Sequence, residues 1–288
     1  MPAARPESEP ERQRGASSSH RALRLLAEEA ARTGGQVARG YFRSELTVRL
    51  KDDRSEVSDA DDAAQAAVVA CIRAMRPRDA FIAEETLPLL AEQTPPTNDA
   101  FCWVIDPIDG TRNFVRGIPV YVCSVAVMRG GTPLAGALYD PERDTLYSAS
   151  CDEGLFVNGR PHPPELDAAA RARRVHPRPV VAIPSSPVGP MAARAHAWLD
   201  RYICRNLGTT ALHLGLVATG ELDGALADNC RLWDIAAGWV LLTAAGRVMT
   251  DPAGAPLFPL DVGRYHGEEL PAIAASADFH AQLLGAGA

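Results

Sequence analysis

Two aspartates follow an apolar stretch at a spacing that suits metal chemistry. Residues 101–105 read Phe-Cys-Trp-Val-Ile and lead directly into Asp106-Pro107-Ile108-Asp109-Gly110-Thr111. Carboxylates near a core repel one another unless a proton or a cation relieves the repulsion. Hard oxygen ligands of this kind suit Mg²⁺, which commonly binds substrate phosphate as well. The alternative is an ordinary strand-ending turn with a helix cap, for which Asp and Gly are common choices.

Further acidic residues occur where predicted elements begin or end. Glu84-Glu85 closes a short apolar stretch, Asp234 opens an apolar helix after Trp233, and Asp61 falls in the first turn of a helix. Each has a simpler interpretation, because exposed acidic pairs are common and acids are favoured at helix N-termini. Acidic side chains from four element ends could converge, as phosphoryl-transfer sites with several metal ions require.

Lysine occurs once in this chain, at Lys51, although Lys and Arg together number 29. The functional interpretation is that position 51 needs a compact ammonium rather than a planar guanidinium. The alternative is chance.

Hydrophobic periodicity predicts a mixed α/β chain without a regular βαβ alternation. Helices are predicted at 21–43 (weakened at Gly34-Gly35), 59–75, 190–200, 209–220, 234–246 and the C-terminus. A capping box of Ser58 and Asp61 is expected to start the second helix. Strands are predicted at 46–50, 80–83, 101–105, 120–128, 133–139, 144–150, 154–157 and 222–227. Residues 165–180 favour no element.

Composition excludes several classes of protein. With 288 residues, 47% of them hydrophobic, the chain can bury a large core. The polar residues 1–19 are expected to form a disordered tail rather than a secretory signal. No apolar run approaches the roughly 18 residues of a membrane span, and a net charge of −7 argues against a nucleic-acid partner. Six scattered cysteines without a C-x-x-C are expected to be reduced thiols of a cytoplasmic protein.

The chain resembles the inositol monophosphatase family of Mg²⁺-dependent, lithium-sensitive phosphatases. The resemblance depends chiefly on W-V-I-D-P-I-D-G-T at 103–111, followed by Asn113-Phe114, and on W-D-I-A-A-G at 233–238. Supporting matches lie at 57–61, 81–85 and 208–224, and order and spacing agree over about 20–265. The resemblance implies a layered α-β-α-β-α sandwich and a homodimer. It also implies one phosphatase domain over 20–288, with halves at about 20–160 and 161–288.

The resemblance also implies a ligand set for two or three Mg²⁺ per subunit. Glu84, Asp106 and the backbone carbonyl of Ile108 would bind the first ion, and Asp106, Asp109 and Asp234 the second. Glu84 would also meet a third, weaker ion.

Catalytic and substrate-binding roles follow from the same resemblance. Asp61 with Thr111 would help to position and deprotonate the attacking water, and Glu85 would support the metal ligands or act through water. The amides of Gly110 and Thr111 would bind phosphate oxygens, and Lys51 would lie close to the substrate.

The implied reaction is hydrolysis of a small phosphorylated alcohol, first of all inositol 1-phosphate, by a metal-activated water. One departure bears on the substrate: where the family has a glutamate that contacts inositol hydroxyls, this chain has Ala227. Asp228 could substitute, but on a strand it would face the other way. Ala83 and Ala245 replace family glycines, with effects expected on packing only.

Other substrates and one other class of function stay open. Histidinol phosphate, a 3′-phosphoadenosine nucleotide and a sugar phosphate or bisphosphate are the alternative substrates. Arg112 and Arg116 could favour a second anionic group on the substrate. The alternative class is a protein-binding regulator, since some family members also have that role.

Overall fold

The computed structural model describes residues 9–51, 56–86, 88–90, 93, 95–163 and 178–286. Its α-helices are α1 Glu9–Tyr41, α2 Asp59–Met75, α3 Thr111–Val115, α4 Gly189–Arg201, α5 Thr210–Ala218, α6 Leu232–Ala244 and α7 Ala277–Gly285. The strands of the first half are β1 Val48–Leu50, β2 Glu56–Ser58, β3 Ala80–Ala83, β4 Cys102–Asp109, β5 Val122–Arg129, β6 Thr132–Asp140, β7 Thr145–Ser150, β8 Gly154–Val157 and β9 Arg160–Pro161. Those of the second are β10 Val180–Ala182, β11 Ile203–Arg205, β12 Gly224–Ala227, β13 Arg247–Thr250 and β14 Ala272–Ser276.

Two sheets and three helical layers alternate in the described chain. The larger sheet has the order β3-β4-β5-β6-β7-β8-β9 and the smaller one β11-β10-β12-β14-β13, while β1 and β2 form a separate pair. Helices α1 and α2 cover one face of the larger sheet, and α5 and α6 lie between the two sheets. Helices α4 and α7 cover the far face of the smaller sheet. The layered α-β-α-β-α sandwich expected from the sequence is therefore confirmed.

The apolar strand sequences follow from this layering. Trp103 and Ile105 of β4 pack against α1 and α2, whereas Val104 between them packs into the layer of α5 and α6. Because successive side chains of a strand point to opposite faces, a strand between two helical layers must be apolar throughout. The same alternation places Leu226 of β12 toward α4 and α7 and Ala227 toward the middle layer.

Helix α1 differs from the sequence prediction in two ways. It begins at Glu9, so residues 9–19 are helical where a disordered tail was expected, and residues 1–8 lie outside the described residues. It also continues through Gly34 and Gly35, where a weakening was expected. A Cβ on Gly34 would lie 2.4 Å from Val68 Cγ2, and one on Gly35 would lie 2.5 Å from Tyr139 Cδ1. The two glycines therefore let α1 approach α2 and the sheet closely, which offsets their low helix propensity.

Other boundaries agree closely with the prediction. The helix predicted at 59–75 and the strands at 80–83 and 154–157 have the predicted ends. Strand β4 continues past Ile105 to Asp109, so the two aspartates belong to the strand.

All six cysteines are unpaired, and Cys151 is the exposed one among them. None of the described helices combines the length and the apolar character that a membrane span needs.

Candidate active site

A β-bulge brings Asp106 and Asp109 to the same place. Asp106 pairs with Ser124 and Asp109 with Val122, so three steps along β4 oppose two steps along β5. In a regular strand, residues three apart point to opposite faces. One extra residue resets the alternation, and Pro107, which has no N–H to donate to a ladder, lies within the irregular stretch.

The third aspartate of the cluster comes from the start of α6. One carboxylate oxygen from each of Asp106, Asp109 and Asp234 lies within 4.8 Å of the others. Asp234 accepts a hydrogen bond of 2.5 Å from the backbone N–H of Arg231, which fixes it in the first turn of the helix. The structure thus brings together three of the acidic residues singled out in the sequence.

Burial makes this cluster costly without a counter-charge. Desolvation, followed by repulsion from Glu84 and from other aspartates of the cluster, raises the pKa of Asp106 well above its ordinary value. Desolvation and the charges of Asp109 and Glu84 do the same to Asp234. The pKa of Asp109 rises to about 6, because burial outweighs its hydrogen bonds from Thr209 and Ala211. Cations would relieve the same repulsion, so the donor set fits a hard divalent ion such as Mg²⁺.

Glu84 and Glu85 meet Lys51 beside this cluster. Lys51 Nζ donates hydrogen bonds of 2.9 Å to Glu84 Oε1 and 2.6 Å to Glu85 Oε1. Burial alone would lower the pKa of Lys51, but the charge of Glu84 and the hydrogen bonds to both carboxylates raise it overall. Burial and the charge of Glu84 raise the pKa of Glu85 to about 7. Asp106 lies within hydrogen-bond distance of Glu84, which links the pair to the aspartates.

Gln65 of α2 holds the end of β3 in place. Its side-chain amide donates to the backbone carbonyl of Glu85 at 2.7 Å and accepts from the Glu85 N–H at 2.9 Å. No signal in the sequence marked this glutamine, because its contact is with backbone twenty residues away.

The buried Asp61 pairs with the half-buried Thr111 next to the aspartates. Thr111 Oγ1 lies 3.3 Å from Asp61 Oδ1 and 3.0 Å from the carbonyl oxygen of Ile108. The backbone N–H and hydroxyl of Ser58 donate to Asp61 Oδ2 at 2.8 and 2.6 Å, in line with the expected capping box. Burial raises the pKa of Asp61 to about 6 despite these hydrogen bonds. A buried carboxylate with a pKa near neutrality is suited to accept a proton.

Gly110 allows the chain to turn from β4 into α3. Its φ is +105°, in the region where glycine is favoured, and a Cβ there would lie 3.1 Å from the carbonyl oxygen of Val120. The following N–H groups of α3 therefore begin directly beside the aspartates, as an anion site requires.

An open cavity of about 450 Å³ lies over the carboxylates. The predicted residues among its walls are Glu84, Asp106, Ile108, Asp109, Gly110, Thr111, Asp228 and Asp234. Lys51, Asp61 and Glu85 do not line it. Lys51 contacts Glu84 and Asp61 contacts Thr111, both of which line the cavity, whereas Glu85 accepts its hydrogen bond from Lys51. The walls also include Glu56, Arg112, Ser185, Asn206, Thr209, His213 and Arg231.

Asp228 lies in the cavity wall, contrary to the expected orientation. Strand β12 ends at Ala227, so the alternation of a strand does not apply to the next residue. Its carboxylate accepts a hydrogen bond of 3.0 Å from the N–H of Val188, whereas Ala227 is buried between the layers.

Thr209 is a site residue that sequence reasoning missed. Its hydroxyl donates to Asp109 Oδ2, and the N–H of Ala211 donates to the same oxygen at 2.6 Å. Thr209 also caps α5 by accepting from the N–H of Leu212. The sequence feature that could have identified Thr209 is its place in the family-like segment 208–224, where a residue with a hydroxyl group directly precedes a helix.

Two wall residues, Glu56 and His213, had no signal in the sequence. Glu56 Oε2 is buried without a hydrogen-bond partner among the described residues. Burial lowers the pKa of His213 to about 4, and its Nε2 accepts the N–H of Leu207 at 3.0 Å. The imidazole is therefore neutral at physiological pH.

Comparisons with known proteins agree with this geometry. The model of the inositol monophosphatase family matches residues 20–285. The chain is 31% identical over 237 residues to inositol-1-monophosphatase from Mesorhizobium japonicum, covering 81% of this chain and 86% of that protein. It is 30% identical over 248 residues to Nus factor SuhB from Escherichia coli, covering 82% of this chain and 86% of that protein.

A solved structure supports the same assignment. The extragenic suppressor protein suhB from Bartonella henselae superposes with a TM-score of 0.75 at 27% identity, covering 92% of this chain and 98% of that one. The family match, the layered fold and the cluster of carboxylates at the two motifs coincide in one chain. It belongs to the inositol monophosphatase family and is a phosphoric monoester hydrolase.

Proposed function

We propose that this hydrolase is Mg²⁺-dependent and acts on a small phosphorylated alcohol, with inositol 1-phosphate as the first candidate. The observation that carries the proposal is the convergence of Asp106, Asp109 and Asp234 within 4.8 Å under an open cavity. Carboxylates that repel one another at this range need cations to offset their charge. The same cations can also bind the anionic oxygens of a phosphate monoester. In this proposal, residues 20–288 act as one phosphatase domain.

The metal ligands are proposed as the resemblance implied them. Glu84, Asp106, Asp109, Asp234 and the carbonyl of Ile108 would hold two Mg²⁺, with Glu84 available to a third. When bound, such ions lower the pKa of water and offset negative charge on the phosphoryl group and the leaving alkoxide.

The remaining groups act on the water and on the phosphate. The carboxylate of Asp61 accepts a proton passed through the hydroxyl of Thr111, which lies 3.3 Å away. The amides of Gly110 and Thr111 donate to phosphate oxygens at the start of α3. Lys51 keeps Glu84 and Glu85 in place, and Glu85 acts through that pair rather than on the substrate.

Asp228 is the proposed contact for a substrate hydroxyl. It lines the cavity and would make the hydroxyl contact that a glutamate makes in the family, since this chain has Ala227 at the position of that glutamate. One carboxylate oxygen is used by Val188, and the other is available to a polyol. Asp228→Ala should raise KM for inositol 1-phosphate by roughly tenfold, the value of one hydrogen bond to a charged group. KM for glycerol 2-phosphate should change less.

Phosphate release from a panel of substrates tests the proposal. The panel is inositol 1-phosphate, histidinol phosphate, 3′-phosphoadenosine 5′-phosphate, fructose 1,6-bisphosphate and glycerol 2-phosphate, each with Mg²⁺ and with a chelator. We expect inositol 1-phosphate to exceed the others in kcat/KM by about 100-fold, or roughly 2.7 kcal/mol. A different preferred substrate would correct the substrate assignment, and hydrolysis without any divalent ion would contradict the metal assignment.

A second role as a protein-binding regulator is favoured by one observation, the 30% identity to Nus factor SuhB. Affinity capture with the inactive variant Asp106→Asn separates the two roles. Partners that remain bound to this variant would establish binding independent of catalysis, and loss of all partners relative to the native chain would exclude it. The homodimer and the cytoplasmic location stay predictions.

A further inference from the structure

Three metal-binding side chains of different types meet where α1 passes the turn between β7 and β8. His20 Nδ1 lies 3.1 Å from Asp152 Oδ2 and 3.3 Å from Cys151 Sγ. One ligand atom from each residue lies within 4.8 Å of the other two. None of the three lines the cavity of the active site.

The arrangement differs from that of a nucleophilic triad. In a triad the thiol and the carboxylate face opposite ring nitrogens of the histidine. Here both face Nδ1. A shared ion between three donors fits this geometry better than covalent catalysis.

We propose that His20, Cys151 and Asp152 form a binding site for a borderline-soft divalent ion, Zn²⁺. Tetrahedral zinc with bonds of about 2.0–2.3 Å separates a nitrogen from an oxygen by roughly 3.4 Å and from a sulfur by roughly 3.6 Å. The observed nitrogen–oxygen distance of 3.1 Å and nitrogen–sulfur distance of 3.3 Å are each a few tenths of an ångström shorter. The three side chains would therefore need to move apart only slightly to bind the ion. Water would complete the fourth position.

Charge and ligand type favour zinc over magnesium at this place. A thiolate and a carboxylate together balance the two positive charges of the ion, and the imidazole binds as a neutral ligand. The thiol proton passes to solvent when the ion binds. Mg²⁺ prefers six oxygen ligands and would leave the sulfur and nitrogen unused.

Neighbouring contacts orient these donors. Ser150 Oγ lies 3.1 Å from Asp152 Oδ1, so the other oxygen faces His20. The N–H of Cys151 donates to the carbonyl of Leu134 at 2.9 Å, which fixes the turn to β6. Glu153 is engaged by Arg24 at 2.8 Å and is not needed as a ligand. Such supporting contacts are typical of metal sites.

Co²⁺ titration of the full chain tests the proposal directly, because only thiolate ligation gives a sulfur-to-cobalt charge-transfer band. The titration is run with a thiol-free reductant and excess Mg²⁺, so that the carboxylate cluster is occupied and in any case contributes no such band. We expect the band to saturate at one equivalent and to disappear when one equivalent of Zn²⁺ is added.

Variants identify the ligands. Cys151→Ser should abolish the band, while Cys204→Ser, at another partly accessible thiol, should retain it. His20→Ala and Asp152→Asn should each weaken binding by at least about tenfold, since even supporting contacts of a metal site are worth that much. Phosphatase activity in Mg²⁺ should be retained in all four, which shows that they fold. No band in the native chain, or a band that survives Cys151→Ser, would overturn the proposal.

Discussion

The ammonium of Lys51 lies 2.9 Å from the carboxylate of Glu84, at the edge of the carboxylate cluster. Its other hydrogen bond, of 2.6 Å, goes to Glu85, so one cation serves two adjacent acids. A compact ammonium donates in three directions from one point, which a planar guanidinium does not. The chain has 28 arginines beside its single lysine, so this contact gives the exception a physical reason.

Lys51→Met should destabilise the metal-free protein. The side chain of Glu85 is only 6% exposed, so without the ammonium its carboxyl could stay ionised only at a cost or would have to take up a proton. We expect the free energy of unfolding to fall by about 2 kcal/mol, less than for a fully buried pair because Lys51 is partly solvated. Urea unfolding in a chelator measures it. Arg49→Met, which removes the exposed ion pair with Asp62, is the control and should change stability by under about 1 kcal/mol. Equal effects of the two variants on the free energy of unfolding would contradict the stabilising role of Lys51 beside the buried carboxylates.

Thr209→Val should weaken metal binding and stability together. The variant removes the hydroxyl that donates to Asp109 and that caps α5. We expect a loss of about 1–2 kcal/mol in the free energy of unfolding and a higher Mg²⁺ concentration for half-maximal activity. Thr209→Ser keeps the hydroxyl and should behave as the native chain. If Thr209→Ser is as impaired as Thr209→Val, the hydroxyl is not the cause.

The metal-free protein should lose stability as pH rises from about 4 to about 6. Burial raises the pKa of both Asp61 and Asp109 from 3.8 to about 6 in the folded state. In that interval the unfolded chain has released protons that the folded chain still binds, so unfolding becomes easier with rising pH. Saturating Mg²⁺ should reduce or reverse the trend, because the ion replaces the protons.

Thermal unfolding in a chelator across this pH range measures the effect. Asp109→Asn, which removes one of the titrating carboxyl groups, should flatten the dependence in part. A metal-free stability that rises steadily between pH 4 and 6 would contradict these raised pKa values.

The glycine pair of α1 gives a prediction about packing. Gly34→Ala would place a Cβ 2.4 Å from Val68 Cγ2, and we expect a loss of about 1–3 kcal/mol from overpacking. Gly40→Ala in the same helix meets nothing within 4 Å and should stabilise the protein by about 0.5–1 kcal/mol. Urea unfolding of both variants measures the difference, and a neutral Gly34→Ala would contradict the close contact.

The layered sandwich was predicted through the family resemblance, whereas the apolar strands and the acidic residues were predicted from the residue pattern itself. Trp103, Val104 and Ile105 form a continuous apolar run because their strand is covered on both faces. Each acidic residue alone has an ordinary structural interpretation, and the set stands out because carboxylates from four element ends could converge on one site.

What could not be predicted depends on contacts between distant parts of the chain. The bulge that turns Asp106 and Asp109 to one side depends on how β5 pairs with β4. The orientation of Asp228 depends on where β12 ends, and the continuity of α1 through Gly34 depends on Val68 of another helix. The start of α1 at Glu9 was missed because the composition of residues 9–19 resembles that of a solvated tail.

The most direct test of the central claim is phosphate release by Asp106→Asn with saturating Mg²⁺. Asp106 is 1% exposed and belongs to the carboxylate cluster, so the amide removes a charge where the ions are proposed to bind. We predict a fall in kcat/KM of at least about 1000-fold, the equivalent of several kcal/mol of transition-state stabilisation. Circular dichroism should show an intact fold, and the exposed Asp278→Asn should retain full activity. Retention of most activity in Asp106→Asn would contradict the proposed role of the carboxylate cluster.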